Sequence, residues 1–181
     1  MRAVLDACVL SPTLLRELVT SWAAEGGFTP LWSTRILEEW RRAAARTGAR
    51  DGEIAATEIA GLVAAFPDAE VKVDGETLDK VSLPDPDDAH VLAAAIDGDA
   101  DEILTLNLRD FPTNALAAHG IIRRHPDEFL LEALHDDPAR MTALVARVLA
   151  RAEAFGIDTT NRRKLLKRAK LPRFAKAMDQ I

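Results

Sequence analysis

Four acidic residues stand where a carboxylate is expensive unless it has work to do. Asp6 closes the short apolar run Arg-Ala-Val-Leu, and Glu39 lies in the early turns of a Trp-anchored helix. Asp88 opens the apolar stretch Ala-His-Val-Leu-Ala-Ala-Ala, and Asp110 follows Thr-Leu-Asn-Leu-Arg. Burying a charge at a strand end needs a compensating partner. Several carboxylates facing one space repel one another and raise their own pKa values unless a cation joins them. Hard oxygen donors without His or Cys favour Mg²⁺ or Mn²⁺ over zinc. One or two such ions can activate water, orient a phosphodiester and stabilise the leaving oxygen.

Each acid also has a plainer reading. Asp6 can cap a turn, and Asp85, Asp87 and Asp88 around Pro86 can be acids favoured at a helix N-terminus. Glu38 and Glu39 are neighbours that point in different directions. Asp110 can be a loop residue, with Thr105 and Asn107 satisfying backbone groups nearby. Cys8 reads as a small buried hydrophobe, and His90, His119, His125 and His135 lack metal-ligand spacing. Trp22, Trp32 and Trp40 read as packing residues. No glycine-rich phosphate loop is present, which removes the main sequence support for a nucleotide cofactor.

Convergence of these acids requires a fold that brings distant segments to one rim. Strands are predicted at 2–6, 28–32, 69–73 and 102–106, with a possible fifth at 120–123. Helices are predicted at 12–25, from Ser33 or Thr34 onward, at 51–65 and from Pro86 or Asp87 to Ile96; 75–86 reads as a polar connection. Alternation of strand and helix implies an α/β fold with parallel strands, whose ligand site lies beyond the C-terminal strand tips. From Pro126 the pattern is helical throughout, at 127–134, 138–155, 160–169 and 173–178. The expected organisation is an α/β domain over 1–125 and a helical C-terminal extension over 126–181.

Composition narrows the class. Of 181 residues, 48% are hydrophobic and 29% charged, which argues against disorder. One cysteine excludes a disulfide scaffold and a cysteine-rich zinc module. The start lacks the apolar core of a secretory signal and no stretch approaches a membrane span, so a soluble cytoplasmic protein is expected. The net charge of −6 hides an asymmetry: residues 1–122 hold 10 Lys and Arg against 21 Asp and Glu, and residues 123–181 hold 13 against 8. Arg162, Arg163, Lys164, Lys167 and Arg168 belong to a run over 161–176 without an acid.

Taken together, AVLDACVL, STRILEEW, LPDPDDAHVLAAA and ILTLNLRDFP occur in the order and approximate spacing of the PIN-domain family, and the chain resembles the VapC-type ribonuclease toxins of toxin–antitoxin pairs over about residues 1–125. The resemblance implies a PIN-like three-layer α/β sandwich with a central parallel sheet. It also implies Mg²⁺- or Mn²⁺-dependent hydrolysis of RNA phosphodiester bonds, with a small antitoxin protein as partner. By its pattern Asp6, Asp88 and Asp110 would hold the metal and Glu39, rather than Glu38, would bind it or orient the attacking water. Thr105, Asn107 and Asp85 would support them. Cys8 stands where the family often has Asn, and Asn107 replaces a possible carboxylate. Arg41, Arg42 and Arg109 are candidates for RNA contact near the site, and the basic run could hold more distant phosphates or an acidic partner segment. An apolar surface involving the N-terminal helices would permit a homodimer. Two alternatives stay open: a catalytically weakened PIN-like RNA-binding or processing factor, and a small phosphate-ester hydrolase.

Overall fold

A computed structural model describes all residues from Met1 to Ile181, and they divide into two compact units. The first comprises Met1–Ser11 and Phe28–Arg124, the second Pro12–Gly27 and His125–Ile181.

The first unit is built on four parallel strands, β1 (Arg2–Leu5), β2 (Thr29–Leu31), β3 (Glu102–Leu104) and β4 (Ile122–Arg124), in the order β2-β1-β3-β4. Ala3, Val4 and Leu5 of β1 and Ile103 and Leu104 of β3 are fully buried, as expected for central strands of a parallel sheet covered on both faces. In β3, Glu102 is also buried, and Arg124 on neighbouring β4 reaches it at 3.1 Å. Helices α1 (Ala7–Leu10), α3 (Thr34–Thr47), α4 (Ala49–Ala65), α5 (Gly75–Lys80), α6 (Ala89–Asp97) and α7 (Thr113–Ala117) complete the unit, α2 belonging to the other. Ser33 caps α3 by accepting from the Ile36 amide at 3.3 Å, and Ile36, Leu37 and Trp40 form its buried stripe. The most apolar helix, α6, buries every residue from His90 to Ala95 and packs on β1 and β3.

Two expectations change. The strand at 69–73 reduces to a single parallel bridge between Trp32 and Glu70. It meets only the residue after β2 and so finds no partner to extend along. The polar connection contains α5, which Asp74 caps by accepting from the Glu76 amide at 3.1 Å. Asp97 at the end of α6 accepts from Asp74 N at 2.6 Å and Thr77 Oγ1 at 2.7 Å, fastening that polar segment in place. The strand at the end of the sheet occupies Ile122–Arg124, and the helix after Pro86 starts as a 3₁₀ turn over Pro86–Asp88.

The second unit is helical: α2 (Thr13–Ala24), α8 (Pro126–Asp136), α9 (Pro138–Ala154), α10 (Arg162–Arg168) and α11 (Pro172–Met178). The α2 segment joins this unit although it lies near the N-terminus. Leu15, Leu18, Val19 and Trp22 of α2 are buried, and α2 packs against α9, whose Met141, Leu144, Val145 and Val148 are buried in turn. Charge reinforces the pairing. Arg140 and Arg147 reach Glu25, Arg151 donates to Glu17 and to Ser21, and the Arg140 guanidinium lies 4.6 Å from the Trp22 ring centre. Asp127, buried in α8, accepts from the Arg173 and Phe174 amides at 3.0 and 2.9 Å and so fixes the start of α11. No helix is long and apolar enough to cross a membrane.

Candidate active site

The sheet order places a switch point between β1 and β3, where successive connections leave in opposite directions; open parallel sheets bind ligands beyond the strand tips at such a point. Register does the rest. Leu5 pairs with Leu104, so the next residues on each strand, Asp6 and Thr105, emerge side by side. Thr105, fully buried, donates its hydroxyl to Asp6 Oδ2 at 2.6 Å and accepts from the Asn107 amide at 3.0 Å. The Cys8 thiol donates to the same Asp6 oxygen at 3.0 Å and accepts from the Leu106 amide at 3.2 Å. Burial, followed by the Asp6 charge, pushes the thiol up to about 12. Cys8 is therefore a neutral hydrogen-bond donor at ordinary pH, not a nucleophile.

Asp88 sits half-buried where the 3₁₀ turn enters α6, with Asp85 accepting from the Asp87 amide at 2.9 Å to shape that turn. Its carboxyl is raised to about 6, first by burial and then by the charges of Asp6, Asp110, Asp85 and Glu39. Asp6, Glu39, Asp88, Asp110 and Asp85, from four separate segments, thus share one electrostatic neighbourhood.

Adjacent glutamates on α3 take opposite tasks. Glu38 accepts from Arg41 at 2.8 Å and Arg42 at 2.9 Å, and these bonds hold its carboxyl down to about 2. Glu39 Oε1 lies 2.7 Å from Nε2 of the buried His90, and Arg35 Nε lies 3.6 Å away. The Glu39–His90 approach is close but out of line for a hydrogen bond, so both imidazole nitrogens remain without an aligned partner. Arg41 and Arg42, candidates for RNA contact, have Glu38 as their partner; Arg109, beside Asp110, is exposed.

Asp110 rides on a 3₁₀ turn over Leu108–Asp110, and Arg123 donates to the carbonyls of Leu108 and Phe111 on either side of it. Arg123 and His90 are two site residues that the sequence did not assign. A lone arginine after a strand and a histidine on an apolar helix carry no spacing signal; their roles depend on contacts 12 or more positions away.

The donor set suits a hard divalent cation: it is all carboxylate oxygen, and its mutual repulsion is visible at Asp88. Both hydrogen bonds to Asp6 fall on Oδ2, so the protein presents Oδ1 unengaged. As the side chains stand, no three His, Cys, Asp or Glu residues close into a group that could hold an ion. The remaining basic candidates, Arg162, Arg163, Lys164, Lys167 and Arg168, belong to the helical unit, where Arg162 and Arg163 lie 3.6 and 3.4 Å from Asp179.

Comparison with known proteins gives a compatible picture. A family model described as PIN domain matches residues 2–109. Over 47 residues the chain is 51% identical to "Putative ribonuclease VapC50" of Mycobacterium tuberculosis (strain ATCC 25618 / H37Rv), a match spanning 26% of this chain and 28% of that relative. No solved structure matches.

Proposed function

The chain belongs to the PIN-domain family, and from that premise we propose that it is a divalent-metal-dependent endoribonuclease, the toxin of a type II toxin–antitoxin pair. The observation that carries the reading is Asp88: four other carboxylates act on it at the switch point of the sheet, an arrangement that favours a cation among them.

In this reading Asp6, Asp88 and Asp110 hold Mg²⁺ or Mn²⁺, which when bound supplies a Lewis acid for the phosphoryl oxygen and a water of lowered pKa. Thr105 and Cys8 keep Asp6 in one rotamer by donating to Oδ2. Glu39, held between His90 and Arg35, orients the attacking water. Arg123 holds the turn that presents Asp110. Arg109 meets a phosphate flanking the cleaved bond. A small antitoxin protein is the partner, and the cytoplasm is the compartment.

The test is RNA cleavage by the purified chain in Mg²⁺, in Mn²⁺ and in chelator. Asp6→Asn and Asp88→Asn are expected to lose about 100-fold or more, since losing even a hydrogen-bond partner of a metal ligand costs about 10–100-fold. Cleavage in chelator, or undiminished cleavage by both variants, would refute the site. Native purification that never yields a small bound protein would count against the toxin role.

A second reading, an RNA-binding or processing factor with weakened catalysis, draws on the neutral Asn107 and on carboxylates that do not close around an ion as they stand. A folded chain that binds RNA yet neither binds Mn²⁺ by calorimetry nor cleaves would favour it.

A further inference from the structure

We propose that the helical unit carries a groove for the phosphate backbone of single-stranded RNA, formed by Lys164, Lys167 and Arg168 of α10. The choice of RNA rests on the nuclease reading above; the groove itself rests on four observations.

First, a cavity of about 680 Å³ is lined by Asn161, Arg163, Lys164, Lys167 and Arg168, with no acid among them. Second, three of these cations form no ion pair, although Asp158 in the adjoining cavity feels the charge of Lys164. Asp179 lies near Arg162 and Arg163, whereas no carboxylate comes within ion-pair distance of Lys164, Lys167 or Arg168. Their spacing of three and four residues puts all three on one face of α10. Third, Asn161 spends its carbonyl oxygen on the Lys164 amide at 2.9 Å, so its NH₂ remains as a neutral donor at the groove. A wall of donors without acceptors selects an anion.

The fourth observation separates RNA from an acidic protein segment. An adjoining cavity of about 270 Å³ shares Asn161, Lys164 and Arg168 and is also lined by Ile157, and two residues before Ile157 the Phe155 side chain is 87% exposed. An exposed aromatic residue two positions from the lining of a cationic groove offers a ring for base stacking while the lysines and arginine neutralise phosphates, a pairing that an acidic protein segment does not call for. Asp158, the acid in this adjoining cavity, accepts from the Thr160 amide and hydroxyl at 3.0 and 2.6 Å, and these bonds together with the Lys164 charge keep its carboxyl ionised, so it offsets part of the positive charge at that end of the groove.

The experiment measures binding of a labelled single-stranded RNA of mixed sequence, about 20 nucleotides long, to the full chain by fluorescence anisotropy. Chelator is present so that cleavage does not intervene, and salt is varied. Three phosphate contacts at about 0.7 each in the log–log salt slope predict that Lys164→Gln/Lys167→Gln/Arg168→Gln flattens the slope by about 2 and weakens binding about 100-fold at about 0.1 M salt. Phe155→Ala should weaken binding about 5-fold or more with the slope unchanged. Circular dichroism checks that both variants fold. A triple variant with the wild-type slope and affinity overturns the proposal, as does one that loses poly-glutamate binding while keeping RNA. Cleavage by the wild type in Mn²⁺ is scored separately. A wild type that cleaves, with an unaffected triple variant, sinks the groove alone; a wild type that never cleaves, with a triple variant that loses RNA, sinks the nuclease reading alone.

Discussion

Replacing Asp88 by Asn should stabilise the metal-free protein near neutral pH while cutting the proposed RNA cleavage about 100-fold or more. Asp88 is raised from 3.8 to about 6 by burial and by the charges of Asp6, Asp110, Asp85 and Glu39. Between those values the folded chain binds more protons than the unfolded one, so stability falls as pH rises through the window, and the penalty is complete above about 6. At 1.36 kcal/mol per pH unit, the face value is about 3 kcal/mol. Asp88 is only half-buried, and solvent screening brings this to about 1–2 kcal/mol. Asn keeps the shape and removes the charge. For a chain of this length the gain corresponds to a rise in Tm of about 3–6 °C at about pH 7.5, shrinking as pH falls from about 6 and gone below about pH 3, where Asp88 is protonated in both states. Thermal unfolding in chelator across that range is the assay. Adding Mn²⁺ should reverse the order, because a ligand that binds only the folded wild type raises its stability. A variant less stable than wild type at neutral pH, or an advantage undiminished at about pH 3, would refute a charge-crowded site.

Three further outcomes follow from individual contacts. Thr105→Val removes a hydroxyl that donates to Asp6 and accepts from the Asn107 amide; it should cost about 2–3 kcal/mol in urea unfolding, and Thr105→Ser should recover most of it. A cost near zero would mean that Thr105 does not hold Asp6. With its thiol at about 12, Cys8 should react with iodoacetamide at about pH 8 roughly a thousandfold more slowly in the folded chain than in urea, and comparable rates would contradict the burial, and with it the Asp6 charge, that raise it. Asp127→Ala should cost about 2–4 kcal/mol and selectively deprotect the Arg173 and Phe174 amides to hydrogen exchange; unchanged protection would show that the carboxylate does not secure α11.

Much of this arrangement is legible in the sequence because it depends on local signals. The apolar run before Asp6 reads as a buried strand, Ser33 reads as a cap, and the Ala-rich stretch after Asp88 reads as a core helix. Where expectation and structure part, a non-local partner decides. Residues 69–73 have strand-like composition, yet only Glu70 finds a bridge partner. The α2 segment is plainly amphipathic, but amphipathicity identifies the face that is buried and not the element that buries it; its match to α9 depends on Glu17 and Glu25 meeting arginines more than 110 positions later.

The same distinction governs the site. Glu38 and Glu39 are one residue apart on α3, hence about 100° apart around its axis, and composition cannot rank them. Local spacing settles Glu38: Arg41 and Arg42 stand at i+3 and i+4, the positions that reach it on the same helix face. The rotation that gives Glu38 to those arginines leaves Glu39 toward His90 and within the field of Asp88. A carboxylate satisfied by its own helix has no need of a cation, whereas one turned toward other carboxylates does. That asymmetry, not the number of acids, is why charge accumulates at the switch point, and it yields a final discriminating pair. Glu39→Gln should lower the Asp88 pKa, read by carboxyl NMR titration, because it removes one of the charges acting there. Glu38→Gln should leave Asp88 where it is; a shift of equal size in both variants would show that the two glutamates are not divided in this way.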